Sequence, residues 1–268
     1  MTTTIRRDDL VETIAAALQY ISYYHPADYI AHLARAYASE QSPAAKDAIA
    51  QILTNSRMCA EGKRPICQDT GIVNVFLEVG MDVRWEGFGS GTIDDAINEG
   101  VRRAYLNADN KLRASVVEDP LFSRRNTKDN TPAVVSMKVV PGDKLGVGVA
   151  AKGGGSEMKS NFAMLKASDS LVDWVLKTVP TMGAGWCPPG MLGIGVGGTA
   201  EKAMSMAKEA LMDDIDMFEL LQRGPQTDME RLRVESTTRS TRWASARRAS
   251  AGSPPCSTSR SPPSRRTP

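Results

Sequence analysis

Cys67, Gln68, Asp69 and Thr70 set a thiol, an amide, a carboxylate and a hydroxyl in four consecutive positions between Pro65 and Gly71. A thiolate is a strong ligand for zinc or iron, and loops carried on a rigid scaffold are where chemistry tends to sit. The same stretch also reads as a turn with a half-buried cysteine, because cysteine packs well as a small hydrophobe. A second thiol, Cys187, is followed by Pro188 and Pro189. The two prolines stiffen the chain and remove two N–H donors, which suits a thiolate held in fixed geometry. Two such thiols favour iron–sulfur or zinc chemistry over a hydrolytic triad, yet they are an incomplete set for either. His25 and His32 are the only histidines. Each reads as structural, so triads and histidine-rich zinc sites are disfavoured.

Two further stretches could serve a site. Lys152-Gly153-Gly154-Gly155-Ser156-Glu157 places three glycines where the main chain must turn sharply or approach a ligand, with N–H groups that form an anion nest. The glycine spacing is wrong for a dinucleotide fingerprint, and no Gly-Lys-Ser/Thr follows for a P-loop. Arg113, Arg124, Arg125 and Lys128 accompany the polar run Asn126 to Pro132. Such a run is normally a solvated loop, but its charge-assisted donors also suit a dicarboxylate.

The elements that must position these residues begin with helices. Residues 8–21 put Leu10, Ile14, Ala17, Leu18 and Ile21 on one face, with Asp8 and Asp9 in the first turn. A second helix follows His25-Pro26, and Ser42-Pro43 reads as cap and first position of a third, running to about Cys59. Ile72–Val79 is β-prone, and Met81–Trp85 is its partner or continuation across Gly80. A helix spans about Thr92 to Leu106, with Ile93, Ile97, Val101 and Tyr105 inward. Ala133–Val140 and Lys144–Ala151 read as a hairpin through Pro141-Gly142-Asp143. A helix over about 168–179 precedes the Cys187 loop. Leu192–Val196 reads as a glycine-bearing strand against which something packs closely, and Thr199 as the cap of a helix near 200–212. The fold class is therefore α+β: an N-terminal helical layer, then a mixed α/β region with a small sheet and glycine-rich loops, then a disordered basic tail.

That tail carries most of the charge asymmetry. The net charge is +2, but residues 229–268 hold nine arginines, two glutamates and neither lysine nor aspartate, leaving the rest of the chain at −5. A mildly acidic body has no nucleic-acid footprint of its own. The tail lacks core periodicity and carries paired prolines, so the expected division is a domain over 1–228 and a tail over 229–268 that is disordered and non-native or read from a shifted frame. Four unevenly placed cysteines give no dense disulfide pattern, and neither a leader-like nor a membrane-spanning apolar stretch stands out. A cytoplasmic protein is expected.

Several of these stretches together resemble the class I, iron–sulfur-dependent fumarate hydratases and the related L-tartrate dehydratase alpha subunits. The runs are Ile66 to Gly71, Asn126 to Pro132, Ala151 to Glu157, and Gly185 to Gly190 through Ala203, and the resemblance covers roughly residues 5–228. It implies a 4Fe-4S cluster held by three cysteines, with one iron open as a Lewis acid. By matching motif, Cys67 and Cys187 look like two ligands, Gln68 and Asp69 like residues at the substrate, with Asp69 linked to proton transfer. Arg113 resembles a substrate-carboxylate binder and Gly155 a main-chain contact. The implied reaction interconverts fumarate and L-malate by addition and elimination of water. The alternative is dehydration of L-tartrate or a methyl-substituted dicarboxylate by an alpha subunit. A non-catalytic structural or binding protein is the competing class, and a structural zinc site a weaker one.

The chain departs from the family's pattern in two ways. Met158 stands where the family has asparagine. The family's third cysteine falls beyond Pro268, and Cys256 has none of its context, so it receives no ligand role. A C-terminal or beta-type domain or subunit is expected to be missing from this truncated chain, which alone would be an incomplete site. The complete enzyme is expected to be a homodimer.

Overall fold

The computed structural model describes residues 2–183, 185 and 190–250, with side chains to residue 240. Two compact units divide the chain, Met1–Phe162 with Ala184–Asp214, and Ala163–Gly183 with Ile215–Pro268.

The first unit opens with β1 (Thr4–Arg6), α1 (Arg7–Tyr23), α2 (Ala27–Ser39) and α3 (Pro43–Gly62). All three expected helices are present, and Ser42 caps α3 as its sequence predicts, accepting the Ala45 N–H with Pro43 in the first turn. Next come β2 (Ile72–Gly80), β3 (Arg84–Glu86) and α4 (Ile93–Tyr105). Thr92 and Asp95 form a reciprocal capping box at the start of α4. The unit continues with β4 (Val134–Val140), β5 (Leu145–Lys152) and the single turn α5 (Gly154–Glu157).

The core lies where α1 and α4 cover β2. Leu10, Val11, Ile14 and Leu18 meet Ala96, Ile97, Val101, Ala104 and Tyr105 over Val73, Val75 and Leu77. Full burial of each large aliphatic side chain stabilises by about 1.5–3 kcal/mol. The two helices come close enough at Gly100 that a Cβ there would stand 2.7 Å from the Val11 carbonyl oxygen.

Three strand expectations are corrected. β4 and β5 are not paired as a hairpin, because β2 lies between them, parallel to β4 and antiparallel to β5. The Pro141-Gly142-Asp143 link instead wraps the end of β2, where the Met81 and Asp82 N–H groups donate to the Val140 and Gly142 carbonyls at 2.9 Å. A strand buried on both faces reads as a near-continuous apolar run, and β2 has that character. β3 pairs with β1 in a separate two-stranded sheet rather than with β2. Leu192–Val196 is extended but joins no sheet. Its expected close neighbour is real: Cβ atoms at Gly193 and Gly195 would stand 1.9 and 2.0 Å from the Ala207 and Ala203 carbonyl oxygens. Those carbonyls belong to α7 (Ala200–Glu209), whose N-cap position is Thr199, although its side chain makes no cap bond.

The second unit contains α6 (Leu171–Thr178), capped by Ser170, then α8 (Met217–Arg223), capped by Asp216, and α9 (Asp228–Ser250). The composition break expected at 228/229 falls in the first turn of α9. Residues 229–250 are helical, supported by arginine and alanine as helix formers and by ion pairs such as Arg231–Asp228 and Arg239–Glu235. The remainder of the expected disordered tail, 251–268, lies outside the described residues. Among the described residues no helix is long and apolar enough to cross a membrane.

Candidate functional site

The loop between α3 and β2 is pinned from several sides. Lys63, with φ +47°, ends α3, and Cys59 is buried beneath the loop with its Sγ 3.6 Å from the Pro65 carbonyl oxygen. The Ile66 N–H donates to the Ser22 carbonyl at 2.8 Å. At the far end Gly71 has φ +83°, and a Cβ there would stand 2.7 Å from the Ala151 carbonyl carbon. Glycine is required there by both backbone angle and space. The Tyr105 hydroxyl donates to the Thr70 carbonyl at 2.8 Å. Burial pushes that phenol up to about 12, the Thr70 side chain acts in the opposite direction, and the Asp69 charge adds to the rise.

Asn130 completes the anchorage. It is fully buried, donates to the Gly71 carbonyl at 2.9 Å, and accepts the Ser115 and Val116 N–H groups at 2.6 and 3.1 Å. One side chain thus ties the Cys67–Gly71 loop to the segment that carries Arg113. That segment is also held by Thr70 Oγ1, which donates to the Arg113 carbonyl at 2.5 Å. Asn130 has φ +61°, a left-handed conformation that asparagine tolerates better than most residues.

Asp69 turns toward the glycine run. Its Oδ2 accepts the Gly154 N–H at 2.8 Å, and its Oδ1 accepts the Gly71 N–H at 3.2 Å and the Ser115 hydroxyl at 3.4 Å. One N–H of the expected anion nest, that of Gly154, therefore meets a carboxylate of this chain. α5 is held in turn by Glu157, which bridges Lys152 at 2.9 Å and Lys208 at 3.0 Å. Burial alone would raise the Glu157 carboxyl, but the two lysines outweigh it and hold it below its ordinary value. Gly155 faces away from Asp69 and abuts the loop before Cys187: a Cβ on it would stand 2.5 Å from the Gly185 carbonyl oxygen. Met158 is exposed.

Cys67, Gln68 and Arg113 meet at one cavity of about 260 Å³, lined also by Pro65, Thr70 and Lys111. Cys67 is exposed there; its Sγ donates to Gln68 Oε1 at 3.4 Å and accepts the Asp69 N–H at 3.5 Å. Arg124, Arg125 and Lys128 do not line this cavity, and Arg125 pairs with Glu118. A larger cavity of about 380 Å³ beside α4 is lined by charges that largely neutralise one another, including the Arg102–Glu99 pair. His25 hydrogen-bonds Ser56 at 3.0 Å, and burial lowers its pKa.

Cys67 meets the chemical need of one soft metal ligand, a sulfur exposed at a cavity mouth without a strong competing partner. Among the described residues no group of three or more His, Cys, Asp or Glu side chains is gathered to hold a metal. Cys187 and Cys256 lie outside the described residues. The sequence singled out neither Ser115 nor Lys111, which lines the cavity, nor the contacts made by Asn130 of the polar run and Tyr105 of the inward α4 face. For Lys111 a signal existed, its alternation with Arg113 about an apolar residue. For the others the pairing is non-local.

Residues 11–240 match the family model described as fumarate hydratase (Fumerase). This chain belongs to that family, the class I fumarase and tartrate dehydratase hydro-lyases. A relative from Methanocaldococcus jannaschii, provisionally named L(+)-tartrate dehydratase subunit alpha, is 33% identical over 212 residues, covering 76% of this chain and 72% of that protein. The L(+)-tartrate dehydratase subunit alpha of Escherichia coli O157:H7 is 26% identical over 209 residues, covering 77% and 68%. The anaerobic class I fumarate hydratase of Escherichia coli K12 is 27% identical over 220 residues, covering 76% of this chain and 39% of its own length. Within this family the conjunction of Cys67, Gln68 and Arg113 at one cavity marks the candidate active site.

Proposed function

We propose that this chain is the alpha-type part of a hydro-lyase that eliminates water from a hydroxylated four-carbon dicarboxylate, with L-tartrate favoured over L-malate. The observation that carries the reading is the shared cavity of Cys67, Gln68 and Arg113. The chain covers 72% of the archaeal tartrate dehydratase alpha subunit but 39% of the anaerobic fumarate hydratase, and that likeness in extent to a separate alpha subunit supports the choice.

In this reading Arg113 binds a substrate carboxylate, for which its guanidinium is free: among the described residues it has neither a hydrogen bond nor an ion pair. Gln68 orients the substrate hydroxyl beside it. Asp69 links the site to proton transfer, with Ser115 Oγ as the hydroxyl in contact with its carboxylate. Gly155 keeps the loop before Cys187 close to the glycine run. Cys67 and Cys187 hold two corners of a 4Fe-4S cluster, which when bound supplies a Lewis acid for the departing hydroxyl. The remaining substrate contacts come from a beta-type domain or subunit, and the complete enzyme is a homodimer in this reading.

Anaerobic reconstitution of the full chain with iron and sulfide, with and without a beta-type partner, tests the proposal. The expected result is visible absorbance from the cluster and faster dehydration of L-tartrate than of L-malate once the partner is present. Absence of cluster absorbance and of dehydration under every condition would overturn it, and faster turnover of L-malate would reverse the substrate choice.

A further inference from the structure

We infer that Lys111 is a second anion anchor of the Cys67 cavity, engaging the other carboxylate of a dicarboxylate held by Arg113. This rests on the reading of the cavity as a dicarboxylate site and adds a residue that the sequence did not single out.

Three observations carry it. First, Lys111 and Arg113 are exposed on either side of Leu112, which is 4% exposed and packs into the core. The core takes the apolar residue and leaves both cations on the surface. Both line the same 260 Å³ cavity beside Cys67 and Gln68. Second, the segment cannot slide. Asn130 binds the Ser115 and Val116 N–H groups, and Thr70 Oγ1 binds the Arg113 carbonyl. Third, Lys111 and Arg113 have no hydrogen bond or ion pair through their side chains among the described residues. Neighbouring cations do: Arg64 donates to the Asp109 carbonyl at 2.9 Å, and Arg102 pairs with Glu99 and Asp129.

Two unneutralised cations at one small cavity, with no carboxylate lining it among the described residues, repel each other and are relieved by a dianion. The volume suits a small acid. The two residues would act differently: a guanidinium takes a carboxylate through two parallel bonds and fixes its plane, while an ammonium acts as a point charge that accepts a range of approaches. Arg113 would then orient one end of the substrate, and Lys111 would select for a charge at the other.

Calorimetric titration of the full chain with succinate, a dicarboxylate that cannot be dehydrated, and with butyrate, its monocarboxylate counterpart, tests this in the unsubstituted protein, Lys111→Gln and Lys111→Arg. Succinate is expected to bind the unsubstituted chain more tightly than butyrate. Lys111→Gln should weaken succinate about tenfold, the loss of one charge-assisted contact, and leave butyrate unchanged. Lys111→Arg should restore succinate to within about threefold, since it restores the charge. An unchanged succinate-to-butyrate ratio in Lys111→Gln overturns the role of Lys111 and leaves the dicarboxylate site standing. Failure of the unsubstituted chain to bind succinate overturns the site and the anchor together.

Discussion

Gly154 donates its main-chain N–H to Asp69 Oδ2 across 2.8 Å, so the carboxylate next to Gln68 ties its loop to the glycine run. A Cβ on Gly153 would stand 3.1 Å from the same oxygen, which makes the approach of the two segments a property of glycine. Asp69→Ala leaves the Gly154 N–H without its acceptor and should destabilise the chain by about 1–3 kcal/mol in urea unfolding. Asp69→Asn keeps an acceptor oxygen and should cost less. Equal costs for the two would show that the bond to Gly154 is not what stabilises this corner.

Asn130 should tolerate no replacement well. Asn130→Asp removes the donor to the Gly71 carbonyl and buries a charge, while Asn130→Ala loses all three bonds and places alanine at φ +61°. Each is expected to cost about 2–4 kcal/mol, measured by denaturant midpoint at constant slope. A loss below about 0.5 kcal/mol in either variant would contradict the anchoring role.

Tyr105 predicts an alkaline limit to stability. Its folded pKa is raised to about 12 from 10, so the folded state retains a proton that the unfolded chain releases. The contribution is complete below pH 10 and is lost as pH rises from 10 toward 12. Its size is on the order of 2–3 kcal/mol for a shift of that extent. Tyr105→Phe should flatten this alkaline slope and cost about 1 kcal/mol at neutral pH through the lost bond to Thr70. An unfolding series from pH 8 to 12 measures both.

Glu157 predicts the opposite limb. Its folded pKa lies below its ordinary 4.5, so its contribution is present above that value and is lost as pH falls through the folded pKa. Glu157→Gln should remove that acid dependence and leave Lys152 and Lys208 to repel each other, with the loss of stability at pH 7 growing at low salt. A salt-independent loss would assign the effect to packing.

Cys67 and Cys59 should separate by role. Cys67 is exposed, so Cys67→Ala is expected to shift stability by less than about 0.5 kcal/mol while abolishing cluster absorbance on anaerobic reconstitution. Cys59 is buried, and Cys59→Ala should cost about 1 kcal/mol and leave the absorbance intact. The reversed pattern would move the ligand assignment from Cys67 to Cys59.

Local chemistry made much of this protein legible from residue order. The apolar faces of α1 and α4, the Ser42 cap, and the start of β2 after Gly71 follow from periodicity and from side chains that reach only their own turn. The Cys67 loop stood out because four reactive groups adjoin a proline and a glycine, and the motifs around it carried the family. Tertiary structure alone decided which strand lies between which, because a short link through Pro141-Gly142-Asp143 is equally able to join neighbours or to wrap a third strand. It also decided that Asp69 reaches the Gly154 N–H, that Asn130 fastens one loop to another, and that Cys67 shares a cavity with Lys111 and Arg113. Those are contacts between residues far apart in sequence, fixed by the burial of β2 and Leu112 in a shared core, and no local pattern encodes them.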